Sequence, residues 1–206
     1  MTQNPWITRI QQAPEAAEVV AVPTVAATGP LTPQAGVTAP DLVDQLPMRH
    51  HGAPARLWMV GVHGGAGEST LAALIPGSQA GGHAWPHLQA NSYVDTRVVL
   101  VARSNAAGLE AARKAATHWA SGALADITLL GLVIIADAPG RLPKPLRHLA
   151  DHVAGASPRT WRMPWVEAWR LGEAVALDDA PTEVRRLAAE ISSLLPPQGA
   201  AAGGNH

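Results

Sequence analysis

The residues with the most chemistry to offer lie together, in His63-Gly64-Gly65-Ala66-Gly67-Glu68-Ser69-Thr70. Three glycines let the backbone turn tightly and aim consecutive N–H groups at an anion. A helix starting at the end of the stretch would add its positive N-terminal end. Ser69 offers a hydroxyl of the kind that holds Mg²⁺ in phosphate-binding loops. Glu68, however, puts a carboxylate where such a loop keeps its lysine. Two unit charges about 4 Å apart interact by about 4 kcal/mol at an effective dielectric of 20, so exchanging attraction for repulsion is a swing of roughly twice that. A few neutral N–H donors hardly offset it for a triphosphate. Glu68 therefore has three readings. It can disable the loop, it can occupy the anion site itself as a helix-capping carboxylate, or it can share a divalent cation with Ser69.

Other residues could support or rival this site. Arg103 and Arg141 follow apolar runs and could serve as substitute cations, and Asp137 ends another such run. Ser69, Asp137 and His148 or His152 stand in the chain order of a serine hydrolase, but the His-Gly-Gly and Gly-Glu-Ser elements are compressed together and Leu71 replaces the closing glycine of that motif. His83 and His87, with Asp95 beyond, have loose metal-ligand spacing broken by Pro86. Between Arg141 and Arg170 six Lys/Arg face two acids, interleaved with Trp161, Trp165 and Trp169. Such a basic, Trp-bearing face could meet a protein or a nucleic-acid backbone. The alternative is core filling, since Phe is absent.

The elements that must position these groups alternate. Residues 56–62, 96–102, 127–137 and 159–165 read as strands, the first three as near-continuous apolar runs. Residues 69–75, 105–122, 144–155 and 181–195 read as helices. That alternation predicts an α/β fold with a mostly parallel sheet covered by helices on both faces. The stretch between Thr70 and Val98 offers no apolar strand ending in Asp, so a strand is expected to be missing there. Eight prolines punctuate residues 1–55, predicting an extended or disordered arm in which the "EVVAV" and "DLVDQL" patches could dock. The domain is expected over 56–195, with a flexible tail over 196–206.

The glycine stretch resembles the deviant Walker A motif, K-G-G-x-G-K-S-T, of the ParA/MinD class of P-loop ATPases. "VVLVARSNAAGLEAA" (98–112), "LLGLVIIADAPGRLP" (129–143) and "PRTWRMPWVEAWRLGEAV" (158–175) are similar, in order, to later strands and helices of that class. The whole pattern also resembles an uncharacterised actinobacterial family related to these ATPases. The resemblance implies a P-loop fold, with nucleotide contacts at His63, Gly64, Gly65, Ala66, Gly67, Glu68, Ser69 and Thr70, and with Arg103, Asp137 and Arg141 around them. By that match His63 replaces the class's signature lysine, Glu68 its phosphate-gripping lysine, and Asp137-Ala138 its adenine-side Asn-Arg, while Ser69 is kept as the Mg²⁺ hydroxyl. Three such departures imply a pseudo-NTPase, a scaffold or regulator without catalytic residues and with no cofactor expected. DNA partition, conjugation or secretion would be its setting, with a protein partner or a homodimer. The alternative is a nucleotide-dependent dimerisation switch that holds ATP or GTP with Mg²⁺ and hydrolyses it slowly.

Bulk composition bounds the rest. A formal net charge of −1 gives no overall field for nucleic acid or acidic membranes. The absence of cysteine excludes disulfides and thiolate metal sites. No run of about 18 apolar residues is present to cross a membrane. The first residues lack the basic start and clean apolar core of a signal peptide, so a cytoplasmic location and no membrane partner are expected.

Overall fold

The computed structural model describes residues 26–88 and 95–196. The "EVVAV" patch (18–22) and the tail from 197 lie outside the described residues.

Four apolar or half-apolar runs form parallel strands as expected. They are β2 (Leu57–Gly61), β5 (Thr96–Arg103), β6 (Ile127–Ile135) and β7 (Thr160–Met163). The stretch expected to lack a strand contains two: β3 (Ser78–Gly82), which pairs with β2, and β4 (Trp85–Leu88), which pairs in parallel with β1 (Met48–His51) in a separate two-stranded sheet. Hydropathy misses β3 because Ser-Gln-Ala-Gly-Gly is small and polar. An edge strand needs only backbone pairing and little apolar surface.

The main sheet has the order β3-β2-β5-β6-β7. Chain direction across it reverses between β2 and β5, which makes the carboxyl ends of those two strands a topological switch point. Alternate side chains of the same strands point to opposite faces, so two cores form. Leu57, Met59, Val99, Val101, Val133 and Ile135 pack with α1 (Glu68–Leu74) and α5 (Thr182–Ser193) on one face. Trp58, Val60, Val98, Leu100, Leu132 and Ile134 pack with α2 (Ala106–Ala120), α3 (Lys144–Gly155) and Trp85 of β4 on the other. A short helix, α4 (Glu167–Arg170), follows β7.

The described part of the Pro-rich arm runs along the α2/α3 side, largely extended but with a 3-10 turn at Leu42–Asp44, and ends in β1. Thr28 N–H donates to Pro158 O (2.9 Å) and Gln34 N–H to Ala120 O (2.8 Å). Asp44 pairs with Lys114 (2.6 Å), and Val37 and Leu46 pack against the core. Prolines forbid long helices but not this docking. In the "DLVDQL" patch Asp44 and Leu46 make these contacts, while Leu42 and Val43 stay exposed.

Candidate functional site: the glycine loop at the switch point

Beyond the paired residues of β2, β5, β6 and β7 the ladder runs on into the loops. Val62 N–H donates to Val101 O (3.0 Å), Ser104 N–H to Ile135 O (2.9 Å) and Ala136 N–H to Met163 O (2.9 Å). The carboxyl-end loops are therefore held in register with one another, and 62–67 is the first of them.

Gly67 caps α1 in the left-handed region (φ 104°). A Cβ there would also lie 2.7 Å from Ile135 Cδ1, so the position requires glycine for conformation and for space. Glu68 is the first residue of α1. Its carboxylate folds back, Oε2 accepting from Gly67 N–H (3.1 Å), and the residue is only 9% exposed. It lies against Gly61, where a Cβ would come 2.7 Å from Oε2. His83, in the turn after β3, places Nδ1 3.9 Å from Glu68 Oε1 and 3.3 Å from Gly61 O. The carbonyl contact favours a proton on His83 Nδ1. Glu68 thus favours the helix dipole and bonds an otherwise orphaned amide.

His63 is also built into the fold. Arg103 N–H donates to His63 Nε2 (3.0 Å), and His63 Nδ1 lies 2.9 Å from Gly64 O. The pair of contacts fits the neutral Nδ1–H tautomer, an acceptor at one nitrogen and a donor at the other. Gly108 of α2 makes room for the ring, since a Cβ there would be 2.8 Å from Nε2. His63 braces the loop against β5 and α2.

Arg103 reaches the loop, but at its carbonyl side. Nε donates to Gly65 O (3.2 Å) and Nη1 to Ala136 O (3.2 Å), tying the loop to the end of β6. Gly64, Gly65 and Ser69 are exposed, Ala66 is buried in the core and Thr70 is half-buried. No acidic residue ends β3 or β5, the two strands beside β2.

Asp137 belongs to a neighbouring arrangement. Its N–H donates to Ser104 Oγ (3.0 Å), and its Oδ2 accepts from Asn105 Nδ2 (3.2 Å). Asn105 in turn caps α2 by accepting from Gly108 N–H (2.8 Å). Asp137 and Arg141 line a cavity of about 350 Å³ with Leu142 and Met163, separate from the glycine loop. The hydrolase constellation is not assembled: Ser69 is on α1, whereas His148 and His152 are on α3, across the sheet. Among the described residues no group of three His, Asp or Glu is arranged to hold a metal, so His83, His87 and Asp95 form no such set. Trp161 is core, with Nε1 donating to Glu190 Oε2 (3.1 Å), while Trp165 and Trp169 are half-buried. In the basic stretch, Arg162 is paired with Asp151 (2.6 Å).

Sequence reasoning missed His83 and Gly61 as neighbours of Glu68. A glycine ending an otherwise bulky apolar strand was the available signal for a close approach.

Fold and site together define an α/β protein with a mostly parallel sheet and a glycine loop at the carboxyl end of its switch point. Residues 55–188, well over half of the chain, match the model described as Family of unknown function (DUF6668), and the chain belongs to that family. No curated protein and no solved structure matches it. Among the described residues no helix is long and apolar enough to cross a membrane.

Proposed function

We propose that this protein is a non-hydrolysing scaffold or regulator of ParA/MinD-like ancestry, whose phosphate loop is closed by its own carboxylate. The bond from Gly67 N–H to Glu68 Oε2 carries the reading. A carboxylate there meets a loop amide that a phosphate would otherwise use, and places negative charge where the ligand's charge would fall. Two further observations support it. His63 is held by hydrogen bonds within the fold, and neither strand beside β2 ends in an acid that could bind Mg²⁺. Such a protein acts through contact with a protein partner or a second copy, in a setting such as DNA partition, conjugation or secretion.

Calorimetric titration with ATP and GTP, with and without Mg²⁺, tests the proposal on the wild type and on Glu68→Lys. The expected result is no binding by the wild type and measurable binding by the variant. Micromolar binding by the wild type would replace this reading with the nucleotide-dependent dimerisation switch.

A further inference from the structure

Beside the glycine loop, on the α1/α5 side of the sheet, a cavity of about 100 Å³ opens between Gly67, Thr70, Arg103 and the segment from Met163 to Arg170. None of its lining residues is acidic, and two are arginines. Arg103 binds only carbonyl oxygens with its guanidinium, so its charge is not neutralised there. Arg170 lies over the Trp165 ring at 5.8 Å. Among the described residues neither arginine is within ion-pair distance of a carboxylate. The one acid of the segment, Glu167, accepts from Trp165 Nε1 and does not line the cavity. Thr70 adds a hydroxyl, and half-buried Trp165 and Trp169 add aromatic surface to the lining.

We propose that this cavity binds the terminal oxyanion, carboxylate or phosphomonoester, of a small aromatic ligand. Two guanidinium groups without an ion pair, at one cavity with no acidic lining residue, favour an anion there, and the planar fork of Arg suits both oxyanions. About 10–15 Å³ on the same measure admits one water, so the cavity has room for an oxyanion and its first attached atoms. The remainder of the ligand rests on the indoles, where aromatic faces stack and the Arg170 cation adds to the attraction. Glu68 does not line the cavity: its carboxylate, held by Gly67 N–H, lies against Gly61 and near His83.

The test uses the full chain with phenyl phosphate, benzoate and, as the uncharged control, phenol. Tryptophan fluorescence reads binding, and thermal denaturation corroborates it. The expected result is saturation at millimolar concentration or below by at least one of the two anions, and none by phenol. Preference for phenyl phosphate assigns a phosphomonoester ligand, and preference for benzoate assigns a carboxylate. Arg170→Gln, on an exposed side chain, weakens the better anion by about tenfold, and Arg103→Gln weakens it further. Glu68→Lys does not weaken it, which separates this site from the closed loop. No saturation by either anion up to about 10 mM, phenol binding as well as the anions, or an unchanged affinity in Arg170→Gln would each overturn the proposal.

Discussion

Replacing Glu68 measures what its carboxylate does for the fold. In Glu68→Ala the bond from Gly67 N–H is lost. A hydrogen bond to a charged acceptor is worth about 1.5–3 kcal/mol, and an acid in the first turn of a helix contributes about 0.3–1 kcal/mol more through the dipole. Against these stands relief of the desolvation of a carboxylate that is 9% exposed, which offsets part of the gain. The net expected loss is about 1–2 kcal/mol. For a domain of this size that lowers Tm by about 2–8 °C. Glu68→Gln keeps an oxygen that can accept from Gly67 and should recover about half of the loss. Urea denaturation followed by tryptophan fluorescence gives the free energies, with an unchanged m-value as the check that only stability moved. A Glu68→Ala protein as stable as the wild type, or more so, would refute the reasoning. The carboxylate would then be a cost that the fold carries for some ligand.

Other expectations follow from single contacts. Gly108→Ala should destabilise, although alanine is about 1 kcal/mol the better helix former, because its Cβ would meet Arg103 O at 2.5 Å and His63 Nε2 at 2.8 Å; a raised Tm would contradict this packing. Gly67→Ala should cost about 1–3 kcal/mol through its left-handed backbone and the approach to Ile135, read by the same denaturation. Burial lowers the pKa of His118, which accepts from Trp85 Nε1 (3.3 Å), and burial followed by the Arg49 charge lowers that of His51. The unfolded chain then binds protons before the folded one, so stability should fall as pH drops below about 6.5. His118→Gln should flatten part of that slope in denaturation curves at successive pH values, and an unchanged slope would assign it to other groups.

The sequence made the central strands legible and the edges obscure, for physical reasons. β2, β5 and β6 are buried on both faces and had to be apolar runs, and α2 shows helical spacing from Leu109 to Trp119. β3 lies at the edge and needs no apolar face, so its polar sequence carried no strand signal. The arm's prolines correctly excluded long helices, but docking through Thr28, Gln34 and Asp44 depends on partners on α2 and near β7 that are distant in sequence. At the site, the glycines and the capping reading of Glu68 were visible in the motif. The direction of the Glu68 side chain was not, because it is set by Gly61 on β2 and by His83 after β3. Arg103 was foreseen as a cation at the loop, and the structure gives it a carbonyl-binding role there. Likewise Asp137 follows a strand as expected, but its hydrogen bonds tie it to Ser104 and Asn105.

The amide resonances of Gly64, Gly65 and Gly67 test the closed loop most directly. In ¹⁵N-labelled protein they should stay in place as Mg²⁺-ATP or Mg²⁺-GTP is added to the wild type, and move in Glu68→Lys. A saturable shift of the wild-type Gly67 amide at micromolar nucleotide would show the carboxylate giving way to phosphate, and would contradict the account.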